Sequence, residues 1–437
     1  MNTTEQPGLS FERVLPIFAL TFVDVLGLTI ILPLLHLYAV AFGASPLQIG
    51  LVAAAFPLSQ LVGVPVMGAL SDRYGRKPLL LISQITTCIS FIMLASATSL
   101  EMVILSRVID GIFGANLATA QAALADITTP ETRAQGLGLT GAAFGLGFIL
   151  GPVIALGALS FSDSLAIPAV IAAVYSFGSI LLTLFTFKET LTTPSTNARP
   201  NIVVSALRCL RDPRIALLLV MMFAQQVIFF GFESMLGLFT LSRLGMLGQG
   251  NAVIFIIVGV ILVTVQVRFI GKWSRRYGEH RLVQAALGCI AVGLLLLALT
   301  PSEGHPFYVR QIVEREIARL SPSSTALIIG SIQVALPPAD TRGVGALLLV
   351  LLAIVPLAVG SGLIRPSLNS LMLRRSSVGE YGAVLGVSAA LVSAANAVAP
   401  LLGGYIFQQY GASAPFWLGG ALMALLCVTS IVIIRRI

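Results

Sequence analysis

Apolar residues run through this chain in long blocks separated by short polar turns. At 1.5 Å rise per residue, a helix needs about 20 such residues to cross a bilayer core of about 30 Å. Twelve blocks are long enough: 12–40, 47–70, 79–98, 101–126, 133–160, 164–187, 214–241, 250–271, 281–300, 344–373, 381–407 and 413–434. They are far longer than the roughly 10-residue strands of a membrane barrel, and they do not alternate. The pattern predicts an all-α integral membrane protein with twelve transmembrane helices.

The polar positions divide these blocks into sixes. Residues 188–213, KETLTTPSTNARPNIVVSALRCLRDP, separate the sixth block from the seventh. This gives an N-terminal six-helix bundle (1–187), a cytoplasmic linker (188–213) and a C-terminal six-helix bundle (214–437). The halves share a faint repeat. Gly68, Ser71, Arg73, Tyr74 and Gly75 recur as Gly271, Ser274, Arg276, Tyr277 and Gly278 at an offset of 203. Leu137, Gly138 and Pro152 recur as Leu385, Gly386 and Pro400 at an offset of 248, so an insertion lies between these points. The hydrophilic stretch at about 302–343 is its natural place, on the outer side. Within it Val309, Ile312, Val313, Ile317 and Leu320 form one helical stripe, and Arg310 and Glu314 are spaced as an i,i+4 pair. That stretch reads either as a variable loop with a surface helix or as a lid.

Lys and Arg number 26 against 18 Asp and Glu, a net charge of +8. Elsewhere that balance would suggest a nucleic-acid partner; here position decides. With the N-terminus inside, nineteen of the 26 lie in inner loops and tails. Five lie outside (Arg243, Arg310, Arg315, Arg319 and Arg342), and Arg107 and Arg365 lie within spans. The positive-inside rule therefore predicts an inner (plasma) membrane protein with both termini cytoplasmic, and it accounts for the charge without nucleic acid. Hydrophobic residues make up 57% and charged residues 10%, which excludes a soluble enzyme and a disordered chain. Four cysteines and three scattered histidines offer neither a disulfide framework nor metal-ligand spacing. No phosphate-binding loop suggests ATP as the energy source.

Ionisable residues inside apolar blocks are costly and point to function. Asp24 lies about 18 Å from the inner start of the first block. Arg107 and Asp110 lie about 9 and 14 Å from the outer start of the fourth, and share a helix face. The three thus occupy one layer, slightly outside the midplane. A cation favours a charged carboxylate and desolvation opposes it. An acid balanced between them can load and release a proton, and Asp24 and Asp110 are the rival candidates. In the second half Glu233 and Arg365 are possible substrate-site residues, too far apart in depth to pair.

Between the second and third blocks stands Gly68-Ala-Leu-Ser-Asp72-Arg73-Tyr-Gly75-Arg76-Lys77-Pro78. A tight reversal favours glycine, Asp72 suits a helix N-terminus, and Arg76 can pair with a carboxylate. In this stretch the sequence resembles the major facilitator superfamily. Asp24-Val-Leu-Gly27 with Pro33, Arg107-Val-Ile-Asp-Gly111, Ala125-Asp126-Ile127-Thr128 and Gly145-Leu-Gly147 with Gly151-Pro152 are similar to its twelve-helix drug:proton antiporters, particularly the tetracycline exporters. The motifs are dense over residues 20–160.

The resemblance implies two pseudo-symmetric bundles in the major facilitator fold. It implies a cytoplasmic gate at Gly68, Asp72, Arg73, Gly75, Arg76 and Asp126. Proton coupling would fall to Asp24 and Arg107, with Asp110 a second acid particular to this chain. Gly147, Gly151 and Pro152 would form an antiporter-like helix, although Ala155-Leu156 replaces the usual Gly-Gly and the partner span carries Gly403-Gly404 instead. The implied function is proton-coupled efflux of a small lipophilic compound or drug, with no cofactor and a proton gradient as driving force. The expected partners are the bilayer, the substrate and protons, and a monomer is expected. Tetracycline exporters carry acids or histidine in the eighth and ninth spans, whereas 250–271 and 281–300 have none. Two other readings stay open: a metabolite, sugar or lipid transporter working by symport or facilitated diffusion, and a non-transporting scaffold or sensor.

Overall fold

A computed structural model describes residues 11–114, 116–128, 133–161, 164–191, 211–320, 335–374 and 381–434. Regular structure among them is helical, apart from one isolated bridge between Gly304 and Arg342. This is the outcome a bilayer imposes, since a helix satisfies its own backbone groups. The helices are α1 (Phe11–Ile31), α2 (Leu35–Ala41), α3 (Pro46–Tyr74), α4 (Arg76–Ala95), α5 (Leu100–Phe113), α6 (Asn116–Asp126), α7 (Arg133–Phe161) and α8 (Ala166–Thr186). They continue as α9 (Pro213–Leu244), α10 (Gly248–Thr264), α11 (Ile270–Tyr277), α12 (Glu279–Ala298), α13 (Arg310–Leu320), α14 (Gly345–Arg374), α15 (Tyr381–Tyr410) and α16 (Ala414–Ile434). Helix covers each of the twelve predicted blocks. Eleven hold, among the described residues, an apolar helix long enough to cross a membrane; the fifth block lies on the 29-residue α7.

Several spans are interrupted. Leu32–Leu34, with Pro33, is a 3₁₀ turn between α1 and α2. The fourth span ends its first helix at Phe113, and Gly114 leaves helical geometry with φ −73° and ψ 56°. The carbonyls freed there find partners: Ser83 donates to that of Phe113, and Gln60 Nε2 to that of Gly114 at 3.4 Å. Between α10 and α11 the eighth span carries a π-turn at Val265–Phe269. The ninth helix begins at Glu279, two residues before the predicted block, which brings an acid into its first turn.

The chain divides into two compact units, residues 1–32 with 59–197 and residues 33–58 with 198–437. Each repeats one packing scheme. In the first, α1 packs on α7 and α8, and α4 on α5 and α8; in the second, α9 packs on α15 and α16, and α12 on α14 and α16. The faint sequence repeat is thus a repeat of helix pairing.

The insertion is tied into the second unit at its base. Glu303 and His305 donate to the carbonyls of Arg243 and Leu244, both at 3.0 Å. Tyr308 is fully buried, and its hydroxyl donates to Pro337 O at 2.9 Å. Its ring lies where a Cβ on Gly245 or Gly304 would stand, and Gly245 has φ +67°. The predicted helix forms as α13, with Val313 and Ile317 buried and α13 packed against α2. Ile312 is 50% exposed, so the buried stripe is narrower than predicted. The Arg310–Glu314 pair closes at 2.9 Å.

Candidate functional site

One polar cluster lies where α4 begins. Gly75 reverses the chain from α3 in a single residue, at φ +107°. This puts Arg76 in the first turn of α4, buried, with its guanidinium among acceptors. Nη1 bonds the Asp72 carboxylate and Ser71 Oγ, the latter at 3.1 Å. Nε reaches Asp126 Oδ2 at 2.9 Å, from the end of α6. Gly68 is buried within α3. Arg73 stands apart, exposed and stacked over Tyr74 at 5.4 Å.

A further member of this cluster was not foreseen. Glu189, just past α8, accepts from the backbone N–H of Arg76 at 2.9 Å and of Lys77 at 3.0 Å. It therefore caps α4 from a distant segment, doing what Gly75 cannot. A Cβ at Gly75 would come 2.5 Å from Glu189 Oε2, so glycine is required by close approach as well as by φ. Burial opposes charge on Glu189. The N–H groups of Leu191, Arg76, Lys77 and Thr190 outweigh it and hold the carboxyl below its usual value of 4.5. Thr190 Oγ also reaches Asp126 Oδ2 at 3.3 Å. In sequence Glu189 sits in a featureless polar stretch, and only a carboxylate soon after a span end hinted at it.

The second cluster lies within the spans. Arg107 and Asp110 are almost wholly buried and pair at 3.4 Å on one face of α5. Arg107 Nη2 donates to Ser90 Oγ at 3.0 Å, and the guanidinium lies 5.4 Å over the Phe91 ring. Asp110 Oδ1 accepts from Thr87 Oγ at 2.8 Å. Asp24 hydrogen-bonds elsewhere: its Oδ1 accepts from Ser179 Oγ of α8 at 3.0 Å. Ser179 in turn accepts from Gln84 Nε2 at 2.9 Å. Equal depth thus placed the three charges in one layer but did not give their direction around each helix.

The glycines of α7 explain how α1 is held. Gly147 stands against Val25, and Gly151 against Thr29, where any Cβ would collide. Thr29 Oγ spans the contact, lying 2.9 Å from Gly147 O. Pro152 is buried in the same helix. The Gly403-Gly404 pair works similarly in the second unit. A Cβ on Gly403 would lie 3.0 Å from Gly231 O, and one on Gly404 2.5 Å from Pro46 O.

The remaining second-unit candidates do not come together. Glu233 is half-buried and, among the described residues, has no ionic partner; Arg365 is exposed. A different cluster forms instead, at the start of α12. Glu279 Oε1 accepts from Arg374 Nη2 at 2.8 Å and from Ser274 and Ser370, both at 3.1 Å. Glu279 occupies the repeat position of Arg76, and Arg374 that of Asp126, so the charges are inverted. Buried His36 lies 3.2 Å from Asn251, with its Nε2 facing the amide nitrogen. Among the described residues there is no cluster of three or more metal-ligating side chains.

This geometry offers a buried Arg107–Asp110 ion pair within the spans and a separate carboxylate-caged arginine at the start of α4. Comparison with known proteins fits it. Residues 17–311 match the family profile of the Major Facilitator Superfamily. The class B tetracycline resistance protein of Escherichia coli is 28% identical over 411 residues, covering 92% of this chain and 89% of that one. Multidrug resistance protein 2 of Bacillus subtilis is 26% identical, covering 63% and 69%. In fold, the chain is similar to the crystal structure of the human organic anion transporter MFSD10 (TM-score 0.65, 22% identity, 97% and 100% covered).

Proposed function

The chain belongs to the Major Facilitator Superfamily, and from that premise we infer that it exports small lipophilic compounds or drugs in exchange for protons. The carrying observation is the charged layer Asp24, Arg107 and Asp110 inside the apolar first unit, since ionisable groups at membrane depth are retained for ion or substrate passage. Relatives that span most of the chain are named tetracycline and multidrug resistance proteins, which supports efflux. A proton gradient is the driving force and no cofactor is used. Asp24 is the group that changes charge; Arg107 and Asp110 keep the layer near neutral.

The caged Arg76 serves as the gate. Asp72, Asp126 and Glu189 hold it in one state, and release from them accompanies the other. The concentration of Lys and Arg in the loops on one side supports a cytoplasmic location for this gate and both termini. The protein acts as a monomer in the plasma membrane. The eighth span has no acid or histidine, where tetracycline exporters carry such residues, so tetracycline is not the expected cargo.

The test uses the purified chain in proteoliposomes with an imposed pH gradient and ethidium as the fluorescent probe, with tetracycline as a second. Gradient-dependent accumulation of ethidium, lost in Asp24→Asn, is the expected result. Gradient-independent, strictly downhill movement in the native chain would overturn proton antiport. Uphill accumulation by Asp24→Asn but not by Asp110→Asn would move the proton to Asp110.

A further inference from the structure

We propose, on the reading that Asp24 changes charge during transport, that the seam between α4 and α8 couples Asp24 to the Arg76 gate, with Gln84 as its keystone. Gln84 lies eight residues into α4 from Arg76, about 12 Å along the axis. It is fully buried and bonds with three side chains of α8. Its Nε2 donates to Ser179 Oγ at 2.9 Å, its Oε1 accepts from Thr183 Oγ at 2.8 Å, and its backbone carbonyl accepts from Ser176 Oγ at 3.2 Å.

These bonds have one direction. The hydroxyl proton of Ser179 goes to Asp24 Oδ1 at 3.0 Å, so its oxygen is free to accept from Gln84. Thr183 donates to Gln84, Gln84 to Ser179, and Ser179 to the carboxylate. Successive bonds pointing at one anion polarise each other, and the last is charge-assisted. Neutralising Asp24 removes the strong acceptor and weakens the whole chain. An amide in this chain cannot readily pass a proton on, so the chain positions groups and does not conduct.

The same two helices reach the gate. Lys77 Nζ donates to Leu184 O at 2.9 Å, near the end of α8. Glu189, just beyond it, holds the first N–H groups of α4. In the other direction Cys88 Sγ lies 3.5 Å from Ala173 O. Polar contacts thus run the length of the seam, and any shift of α8 against α4 is felt at both ends. Among the described residues the ionisable groups nearest this end of the seam are Arg107 and Asp110 on α5, while α7 meets α1 with glycine and α8 meets Asp24 with Ser179. A role as ordinary interhelical glue would stabilise the seam without transmitting anything.

Amide hydrogen exchange on the full-length chain in lipid nanodiscs separates the two and needs no substrate. The readout is the segment 75–80, at one pH, in a double-mutant cycle. Asp24→Asn is expected to speed exchange there about five-fold, the effect of losing roughly one hydrogen bond. With Gln84→Leu or Ser179→Ala already present, Asp24→Asn should add less than about two-fold. Ser179→Ala guards against a Gln84→Leu chain that does not fold, because it cuts the chain at Ser179 and leaves the bonds of Gln84 to Thr183 and Ser176 in place. An Asp24→Asn effect above about two-fold surviving in either background overturns the proposal, as does one below about two-fold in the native chain. If the exchange cycle behaves as expected while no pH-driven export is found, the coupling stands and the antiport reading falls.

Discussion

Glu189→Ala removes a side chain that sequence reading passed over, and its effect can be worked from four bonds. The carboxylate accepts from Arg76 and Lys77 in the first turn of α4, and from Thr190 and Leu191 in its own segment, at 2.9 to 3.0 Å. A hydrogen bond to a charged group contributes about 1.5–3 kcal/mol when dry. Glu189 is exposed, so water takes over much of this, and the lower scale of a lost helix cap, about 1–2 kcal/mol, applies. That corresponds to about 5- to 30-fold more frequent opening of the first turn of α4. Hydrogen exchange of residues 76–80 measures it directly, and Glu189→Gln, which keeps one acceptor oxygen, should fall between. The pH sign follows from the lowered carboxyl. Its contribution is complete above the ordinary carboxylate value and is lost only as pH falls through the lower folded value. Native protection, corrected for intrinsic chemistry, should therefore stay level from about pH 8 to pH 5. An alanine variant within about two-fold of native, or native protection that collapses in that window, would refute the cap.

Asp110→Asn leaves Arg107 buried without its ionic partner, and should cost about 3–5 kcal/mol, seen as a clear fall in unfolding temperature in detergent; an unchanged temperature would show that Ser90 and Phe91 suffice. Gly404→Val pushes a side chain into the backbone of Pro46 and Leu47, which cannot yield, and should cost about 1–3 kcal/mol or more. Native thermal stability in that variant would mean that α15 and the start of α3 do not pack as described. Tyr308→Ala should cost about 3–5 kcal/mol as a cavity, while Tyr308→Phe loses only the bond to Pro337 and about 0.5–1.5 kcal/mol; equal effects from the two would contradict ring packing as the anchor of the insertion.

What could be read from the sequence were features set by local periodicity. Helix positions followed from apolar run length, and the Arg310–Glu314 and Arg107–Asp110 pairs from spacing along one helix; the Asp72–Arg76 contact spans the break between α3 and α4 and entered through the resemblance. Asp126 entered only through resemblance, since its contact with Arg76 joins segments 50 residues apart. The partner of Asp24 was not legible. Depth along a span is fixed by residue count, but rotation about the axis depends on packing, and the glycines of α7 decide it by setting how α1 lies. The break at Gly114 was also hidden, because its cost is offset by Ser83 and Gln60 on other helices. Tyr308 was unreadable for a similar reason: its burial depends on two glycines, 245 and 304, that come together only in the folded unit.

The two halves carry opposite charges at a point where their sequences repeat. Gly75 and Gly278 both stand at positive φ before a helix, and Arg73 and Arg276 each stack on the next tyrosine at 5.4 Å. The next residue is Arg76 in one half and Glu279 in the other. The start of a helix carries partial positive charge, so an acid there is stabilised by about 0.3–1 kcal/mol and a cation is disfavoured to a similar extent. Glu279 has the favourable sign, and its partner Arg374, in the last turn of α14, has the favourable sign for a helix end. That pair follows its helix dipoles and would stay closed without other help. Arg76 and Lys77 oppose theirs, and α4 begins with two cations that Asp72, Asp126 and Glu189 must offset. The closed contact therefore depends on those acids. On the proposed gate reading, which needs two states of similar free energy, the first-half contact is the one whose charges oppose its helix dipole, and the Glu279–Arg374 pair is the one that follows it.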